Sequence, residues 1–425
     1  MKRPQLILAA GKEKALLRRH PWIFSGAVKR IIGEPQEGDL VDIQAADGHW
    51  LAVGHYQNES IICKVLSFDT QSVDERFFEQ RLKSAIGYRK RLGFFNEGNN
   101  TNVFRLVNGE GDFLPGLICD WYNGVLVMQA HSVGMHRLFS MFTEMFVNLL
   151  SPYIVSVFDK SSATVPGGSS DGFLWGDEAP EREICEHGNR MFINFFEGQK
   201  TGFFVDQREN RRLVGELAKG HRVLNCFGYT GGFSLAALRG GAEFVETVDI
   251  SKKAIELCNR NVELNFGKDA PHKGTVADVL QFLNGGVEAE SGKRKAESGE
   301  IDRVSQLSAF RFPLSAPNSQ FDIIILDPPA FAKNHRSLQQ GLKGYRNINQ
   351  KAMEKIANGG LLFTFSCSQA VSRDDFQTMV FTAAANAHKK VRIVRQLPHA
   401  LDHPVSVYHP EGEYLKGLLL QIEKA

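Results

Sequence analysis

The sequence predicts an α/β protein in three parts. A small β-barrel is expected over residues 1–72, a connector helix and β-rich centre over 73–195, and a doubly wound sheet over 196–425. Three observations predict this. Short apolar stretches separated by turn signals crowd the first part, and strand and helix signals alternate from residue 196 onward. The strand Val223–Cys226 then runs into a glycine-rich turn, Phe227-Gly-Tyr-Thr-Gly-Gly232. A chain of 425 residues is also too long for one ordinary core.

In the first part, Leu40–Ile43, Trp50–Val53 and Ile61–Leu66 read as strands, separated by turns at Glu37-Gly-Asp39 and Ala46-Asp-Gly48. A barrel is the natural package for strands this short. Arg18-Arg-His-Pro-Trp-Ile-Phe24 interleaves cations with aromatics. Arg18 and Arg19 suit phosphate contact and Trp22 suits base stacking. The competing reading places Trp22 and Phe24 in the barrel core and leaves the arginines solvated.

Residues 74–93 predict a helix, with Phe77, Phe78, Leu82, Ile86 and Leu92 at helical spacing. Strands follow within Phe104–Phe113, Val125–Gln129 and Met191–Phe195, and a polar loop spans Val165–Gly172. The alternation then predicts helix 206–218, strand 222–226, helix 231–239, strand 244–249 and helix 251–265. Strand 321–326, helix 338–356, strand 360–366 and helix 372–386 complete it. Residues 285–320 break the rhythm and read as a surface insertion with little order.

Composition excludes several classes. Hydrophobic residues at 43% and charged residues at 23% are those of a globular protein. No run reaches the ~18 apolar residues of a membrane span. Gly11-Lys-Glu-Lys14 interrupts the apolar start too early for a signal peptide, so a cytoplasmic protein is expected. The six cysteines (63, 119, 185, 226, 258, 367) form no CxxC pair, which argues against disulfide frameworks and zinc ribbons. His399, His403 and His409 match no ligand spacing, so no metal is expected and a loop lining a substrate cleft is the better reading. The net charge of +2 is modest, but residues 1–30 carry eight cations against Glu13 alone.

Four segments in fixed order carry the chemistry: Val223–Phe233, Val248-Asp-Ile250, Ile323–Phe331 and Phe363–Ser368. Glycines after the first strand let the backbone approach a ligand, and an acid about 20 residues on suits ribose hydroxyls. That much also fits a dinucleotide. The turn Asp327-Pro-Pro-Ala-Phe331 tips the reading toward S-adenosylmethionine, because a carboxylate, a rigid turn and an aromatic face suit a flat base held beside a reactive carbon. A methyl group on a cationic sulfur asks the protein for orientation and electrostatics only.

The expected cofactor contacts are Phe227, Gly228, Tyr229, Thr230, Gly231, Gly232, Asp249, Ser251, Asp278, Asp327 and Pro328. Asp249 is placed for the ribose and Asp278 for the adenine amine; the competing role for each acid is a helix N-cap. Asp327 and Cys367 are the candidate catalytic residues, and Phe331 offers a face to RNA. Carbon-5 of a pyrimidine is a poor nucleophile until a thiolate adds at carbon-6, a role Cys367 fits at a strand end. The N terminus of the following helix is expected to favour that thiolate. The competing reading is an inert core cysteine. Turns of this Pro-Pro-aromatic kind also occur in enzymes that methylate exocyclic amines, which keeps that chemistry open. A non-catalytic rRNA-binding assembly factor is the third reading.

These residues together resemble the RlmI-type large-subunit rRNA methyltransferases, with a PUA-like RNA-binding domain ahead of a Rossmann-like class I methyltransferase domain. The resemblance runs over nearly the whole chain. It rests on Arg18–Phe24, Arg105–Glu110, Leu114–Asp120, Gln199–Arg208, Asn225–Phe233, Leu326–Phe331 and His409–Lys416. It implies carbon-5 methylation of a cytosine in 23S rRNA or a large-subunit precursor, with S-adenosylmethionine as donor. It also implies that Gln199, Lys200, Thr201 and Gln207 help close over the cofactor and that Cys367 is the nucleophile. Where many RNA cytosine-5 enzymes carry a second cysteine after the proline of the Asp-Pro turn, this chain has Pro329 and then Ala330. The β-rich centre is a possible homodimer contact.

Overall fold

The computed structural model describes residues 3–70, 72–165, 170–285, 321–332 and 334–425. The predicted insertion, from residue 286 onward, lies outside the described residues. The chain forms two compact units. Met1–Asn210 with His399–Glu413 makes the first, and Arg211–Pro398 with Tyr414–Ala425 the second.

The first unit opens with six short strands: β1 (Gln5–Leu8), β2 (Trp22–Phe24), β3 (Val28–Ile32), β4 (Leu40–Gln44), β5 (Trp50–Tyr56) and β6 (Ile61–Ser67). Helix α1 (Lys14–Leu17) and a 3-10 turn at Ser25–Ala27 depart from the all-β expectation. The strand order is β2-β6-β5-β4-β1-β3. Since β2 and β3 are joined by the short 3-10 turn Ser25–Ala27 yet stand at opposite ends of that order, the sheet curls on itself. Strand alternation sends Ile23 inward to Val41, Ile43, Ala52 and Val65. Its neighbours Trp22 and Phe24 therefore face outward, which overturns their assignment to the barrel core: Trp22 is half-buried and Phe24 is 49% exposed.

Helix α2 (Glu75–Arg91) follows, N-capped by Asp74, whose side chain accepts the Phe77 N–H. A second sheet holds β7 (Val103–Asn108), β8 (Leu117–Tyr122), β9 (Val125–Ala130), β10 (Ser156–Asp159) and β11 (Gly172–Gly176), in the order β11-β10-β9-β8-β7. Between β9 and β10 lie α3 (Val133–His136) and α4 (Phe139–Leu150). Phe78, Leu82 and Ile86 of α2 meet Phe142 and Phe146 of α4 in the core over this sheet. The hairpin β12 (Glu181–Glu186) and β13 (Asn189–Asn194) completes the strands of the unit.

The second unit alternates strand and helix, and four of its elements, at 272–276, 279–283, 389–396 and 416–424, were not expected from the sequence. Helix α5 (Arg208–Leu217) leads to β14 (Arg222–Cys226), α6 (Gly232–Arg239), β15 (Phe244–Asp249), α7 (Lys252–Phe266), β16 (His272–Val276) and α8 (Val279–Leu283). After the insertion come β17 (Phe321–Leu326), α9 (Leu338–Lys355), β18 (Ile356–Ser366), α10 (Arg373–Asn386), β19 (Lys389–Gln396) and β20 (Lys416–Lys424). Their order is β16-β15-β14-β17-β18-β20-β19, parallel except that β20 runs antiparallel to both β18 and β19. The order reverses between β14 and β17, so a crevice opens beyond their carboxyl ends, where open α/β sheets bind ligands.

Two buried histidines of the first unit give it a pH dependence. Burial pushes His55 and His131 each down to about 4, with nearby Lys64 acting in the same direction on both and Arg137 adding to it at His55. Both are neutral in the fold, whereas the unfolded chain protonates them near pH ~6.5. Stability is therefore complete above that pH and falls as pH drops toward about 4, by about 1.4 kcal/mol per pH unit for each histidine. Urea midpoints measured from pH 7.5 to 5 should fall accordingly, and His131→Gln should make the decline shallower.

Candidate active site

The turn after β14 is shaped for close approach. Phe227 and Tyr229 sit at φ 59° and 45°, in the left-handed region that non-glycine residues rarely adopt, and Gly231 sits at φ 87°. A Cβ on Gly228 would lie 2.2 Å from the Thr247 methyl, and one on Gly231 would lie 2.4 Å from Cys258 Sγ. Only glycine fits either place. Gly231 is also the N-cap of α6, so the helix begins with its backbone N–H groups turned toward the crevice and no side chain over them. Thr230 is buried, with its carbonyl accepting Asn261 Nδ2 at 3.1 Å.

Asp249, at the tip of β15, ties two turns together. Its Oδ2 accepts the Tyr229 N–H at 3.0 Å, and its Oδ1 accepts the Ser251 N–H at 2.8 Å. Gly228 N–H donates to the Val248 carbonyl at 3.1 Å, closing the same corner. Ser251 caps α7, with its Oγ accepting the Ala254 N–H at 3.3 Å. Asp278 caps α8 by accepting the Gln281 N–H at 2.9 Å, and its side chain is exposed. The geometry brings Phe227–Gly232, Asp249 and Ser251 into one hydrogen-bonded corner at the switch point.

On the other side of that point, β17 ends at Leu326 and delivers Asp327, half-buried, then buried Pro328 and exposed Pro329. Phe331 folds back onto α9. Its ring lies 4.7 Å from Tyr345 and 6.4 Å from Phe227, and its N–H donates to the Tyr345 hydroxyl at 3.3 Å. Tyr345 and Ser368, which the sequence reading passed over, pin the two strand tips together: their hydroxyls are 2.9 Å apart, and Ser368 Oγ accepts the Ala332 N–H at 3.3 Å. Burial raises the Tyr345 pKa, so the hydroxyl stays protonated. Lys416, at the start of β20, donates to the Ser368 carbonyl at 2.7 Å and the Tyr414 carbonyl at 2.7 Å. The restricted stretch His409–Lys416 already pointed to Lys416. Tyr345 reads only as core spacing on an amphipathic helix.

Cys367 follows β18 directly, and its Sγ stands 4.0 Å from the Pro328 carbonyl oxygen. It is half-buried, whereas Cys226 and Cys258 of the same unit are fully buried. Burial raises the thiol pKa of both, to about 12 for Cys258. The help expected from the next helix takes a different form. Helix α10 begins at Arg373, its first turn carries Asp374 and Asp375, and a reciprocal Ser372–Asp375 capping box occupies its N terminus. The positive end of that dipole is answered by its own carboxylates.

The remaining predicted residues lie in the first unit. Arg18 is exposed, and Arg19 makes a two-point ion pair with Asp69 at 2.6 and 3.0 Å. Trp22 is a bridge: its Nε1–H donates to Glu110 at 2.8 Å, and its ring packs 4.3 Å from that of His409. Gln199 and Lys200 are exposed, and Lys200 Nζ lies 3.6 Å from Asp206. Thr201 and Gln207 are buried, and Gln207 accepts Asn210 Nδ2 at 2.7 Å. The sequence reading drew its last boundary at 195/196, but residues 196–210 and 399–413 belong to the first compact unit. The described residues hold no group of three or more His, Cys, Asp or Glu able to bind a metal.

A seven-stranded sheet of this order, with a glycine turn and a carboxylate at its switch point, defines an S-adenosylmethionine-dependent methyltransferase. Residues 6–68 match the PUA-like domain family, and residues 104–280 match the S-adenosylmethionine-dependent methyltransferase family. The ribosomal RNA large subunit methyltransferase I of Klebsiella pneumoniae strain 342 is 36% identical over 427 residues, covering 99% of this chain and 98% of that protein. The protein of the same name from Yersinia pseudotuberculosis serotype O:1b strain IP 31758 is 36% identical, over 98% of this chain and 99% of its own length. The chain belongs to the ribosomal RNA large subunit methyltransferase I family.

Two solved structures share the fold across 98% of this chain and 99% of theirs. A putative SAM-dependent methyltransferase from Streptococcus mutans superposes at TM-score 0.79 with 21% identity, and a putative methyltransferase complexed with SAH at 0.79 with 22%.

Proposed function

We propose that this enzyme methylates carbon-5 of a cytosine in 23S rRNA, or in a precursor of the large subunit, through a covalent adduct on Cys367. The observation that carries the reading is Cys367 itself: half-buried at the tip of β18, with its sulfur 4.0 Å from the Pro328 carbonyl on the tip of β17. The names of the relatives support the substrate class. Bound S-adenosylmethionine supplies an electrophilic methyl group. Gly228, Gly231 and Asp249 hold it at the switch point, aided by Phe227, Tyr229, Thr230, Gly232, Ser251 and Asp278, with Asp327 and Pro328 beside the reacting base.

The Cys367 thiolate adds at carbon-6 and makes carbon-5 enamine-like, so that carbon-5 takes the methyl group; loss of the carbon-5 proton to water then restores the double bond and expels the thiolate. Asp327 accepts from the base edge, while Tyr345 and Ser368 keep the two strand tips in register. The family resemblance assigns cofactor contact to Gln199, Lys200, Thr201 and Gln207, and Arg18, Arg19, Trp22 and Phe331 serve RNA. Arg19 acts by exchanging Asp69 for a phosphate, a swap an exposed ion pair permits at small cost. A cytoplasmic location and a homodimer joined through the β-rich centre belong to the same reading. Among the described residues no helix is long and apolar enough to cross a membrane.

One observation favours a second reading, methylation of an exocyclic amine: β17 runs into Asp327-Pro-Pro-Ala-Phe331, a turn whose carbonyl and carboxylate suit polarising an NH₂ group. A nucleoside-resolution map of rRNA from cells with and without the enzyme decides between them. The expected result is loss of a single 5-methylcytosine from the large-subunit rRNA. Loss of an N-methylated purine would establish the second reading instead.

A further inference from the structure

At the carboxyl edge of the second unit's sheet, β19 ends and β20 begins beside the tip of β18. Ser366 of β18 lies opposite Lys416 of β20, and Leu418 of β20 lies opposite Gln396 of β19. A cavity of about 170 Å³ opens there, and every residue that lines it belongs to this unit. Buried Phe376, Leu397 and Leu415 give it apolar walls, while Arg373, Gln377 and Gln396 bring polar groups. Arg373 Nη1 donates to Gln396 Oε1 at 2.8 Å, which joins α10 to the end of β19.

The cavity is tied to the strand tip that carries Cys367. Lys416 lines it and donates from Nζ to the carbonyl of Ser368, the residue after Cys367, at 2.7 Å. Neighbouring strands stand ~4.8 Å apart, so Gln396 is about two strand spacings across the sheet from the end of β18. The size suits a single ring, since an apolar protein cavity of ~150 Å³ takes a benzene molecule. A ring with polar edges meets a guanidinium and two carboxamides here, and groups of this kind read base edges in single-stranded RNA.

Charge selects the kind of ligand. β19 is an edge of the sheet, paired with β20 alone, and it carries Lys389, Lys390, Arg392 and Arg395 with no acid among them. Arg392 is engaged by Glu423 at 2.8 and 3.1 Å. Lys390 and Arg395 are exposed, as are Ile393 and Val394 between them. The acids next to Arg373 are Asp374 and Asp375, and Asp375 is held in the Ser372 capping box. Edge strands commonly carry cations to discourage pairing with another chain. That accounts for the charges on β19, but not for a cavity with polar groups at the strand's end.

We propose that this cavity binds one base of the rRNA beside the methylated nucleotide, with Arg373, Gln377 and Gln396 on the base edge and Lys390 and Arg395 on the adjoining phosphates. The three polar residues of the cavity are then determinants of sequence context. The proposal rests on the reading of rRNA as the substrate and holds whichever atom of the target base is methylated.

The test is steady-state methylation, by the full-length enzyme, of naked large-subunit rRNA fragments in which each base flanking the modified nucleotide is changed in turn. For the native enzyme one flanking change is expected to lower kcat/KM at least about tenfold. Arg373→Ala and Gln396→Ala are expected to raise KM for the native sequence at least about tenfold and to shrink that discrimination below about threefold, with S-adenosylhomocysteine affinity unchanged. Both side chains are exposed, so the melting temperature should hold. Lys390→Ala and Arg395→Ala should raise KM equally for every flanking base and reduce its salt dependence. Arg239→Ala, which removes an exposed cation at the end of α6, should do neither.

If the native enzyme methylates no rRNA, the substrate reading fails and the proposal with it. If it does so while Arg373→Ala and Gln396→Ala keep native KM and native discrimination, the role of the cavity is overturned and the reading stands. A raised KM with undiminished discrimination reduces Arg373 and Gln396 to phosphate contacts and overturns base binding. Variants that match the native enzyme on naked rRNA but are slow on ribosomal particles would place a protein in the cavity, which overturns it equally. Native KM in both Lys390→Ala and Arg395→Ala would overturn the phosphate contacts along β19.

Discussion

Cys367→Ala is expected to lower methyl incorporation into rRNA at least about 10³-fold, while S-adenosylhomocysteine binds within about twofold of the native affinity. The size follows from the chemistry. Without addition at carbon-6, carbon-5 of cytosine has too little nucleophilic character to attack a sulfonium methyl, so the thiol supplies activation that no other group at the two strand tips can. The selectivity follows from the geometry, since Cys367 lies beside Pro328 and makes none of the hydrogen bonds that join the glycine turn to Asp249. Cys185, also short of full burial but in the β12–β13 hairpin, is the matched control, and Cys185→Ala should leave the rate unchanged. RNA carrying 5-fluorocytosine gives an independent readout, because fluorine cannot leave carbon-5 as a proton does. The native enzyme should stall as a complex that survives denaturing electrophoresis, and Cys367→Ala should not. Near-native turnover by Cys367→Ala would sink the covalent route and turn attention to exocyclic-amine transfer at Asp327.

The centre of the second unit was legible because β14 and β17 are buried on both faces, whereas the largely exposed β16 and β19 left no such signal. Ile323–Leu326 reads as a continuous apolar run and Val223–Cys226 as one broken only by Asn225, and the glycines and Pro-Pro turn that end them are local signals with a direct conformational cause. Other features had no such trace. Helix α4 carries Phe139, Met141, Phe142, Met145, Phe146, Val147, Leu149 and Leu150, so apolar on most sides that its period is blurred. The membership of 399–413 in the first unit depends on Asp402 reaching Arg208, 194 residues away in sequence, and no propensity or spacing encodes such a pair. Trp22 illustrates the same limit. Alternation along a three-residue strand cannot say which face is inward until Ile23 is seen in the core, and its Glu110 partner stands 88 residues off. Long-range polar pairing, more than any unusual local conformation, is what the chain kept hidden.

Asp249→Ala should weaken S-adenosylhomocysteine binding about 10²-fold, which corresponds to about 2.7 kcal/mol, and cost stability of about 1–3 kcal/mol as well. The two effects have different origins. The stability loss comes from the Tyr229 and Ser251 N–H groups, which donate to the two carboxylate oxygens at 3.0 and 2.8 Å and would be left without them. The binding loss has two parts: the ribose hydroxyls lose their acceptor, and Tyr229, held at φ 45°, loses the bond that keeps the turn in its strained shape. Asp249→Asn divides them, since the amide keeps one acceptor oxygen and turns an NH₂ toward a backbone donor. Its stability should fall about as far as that of Asp249→Ala, because an N–H facing an N–H is worse than one facing water. Calorimetry and urea unfolding on the same preparations measure both quantities. If Asp249→Ala binds S-adenosylhomocysteine with native affinity yet unfolds more easily, the carboxylate is a structural staple of the turn and the ribose must be held elsewhere. Full loss of binding with unchanged unfolding would mean instead that the turn keeps its shape without the staple, and that Asp249 acts on the cofactor directly.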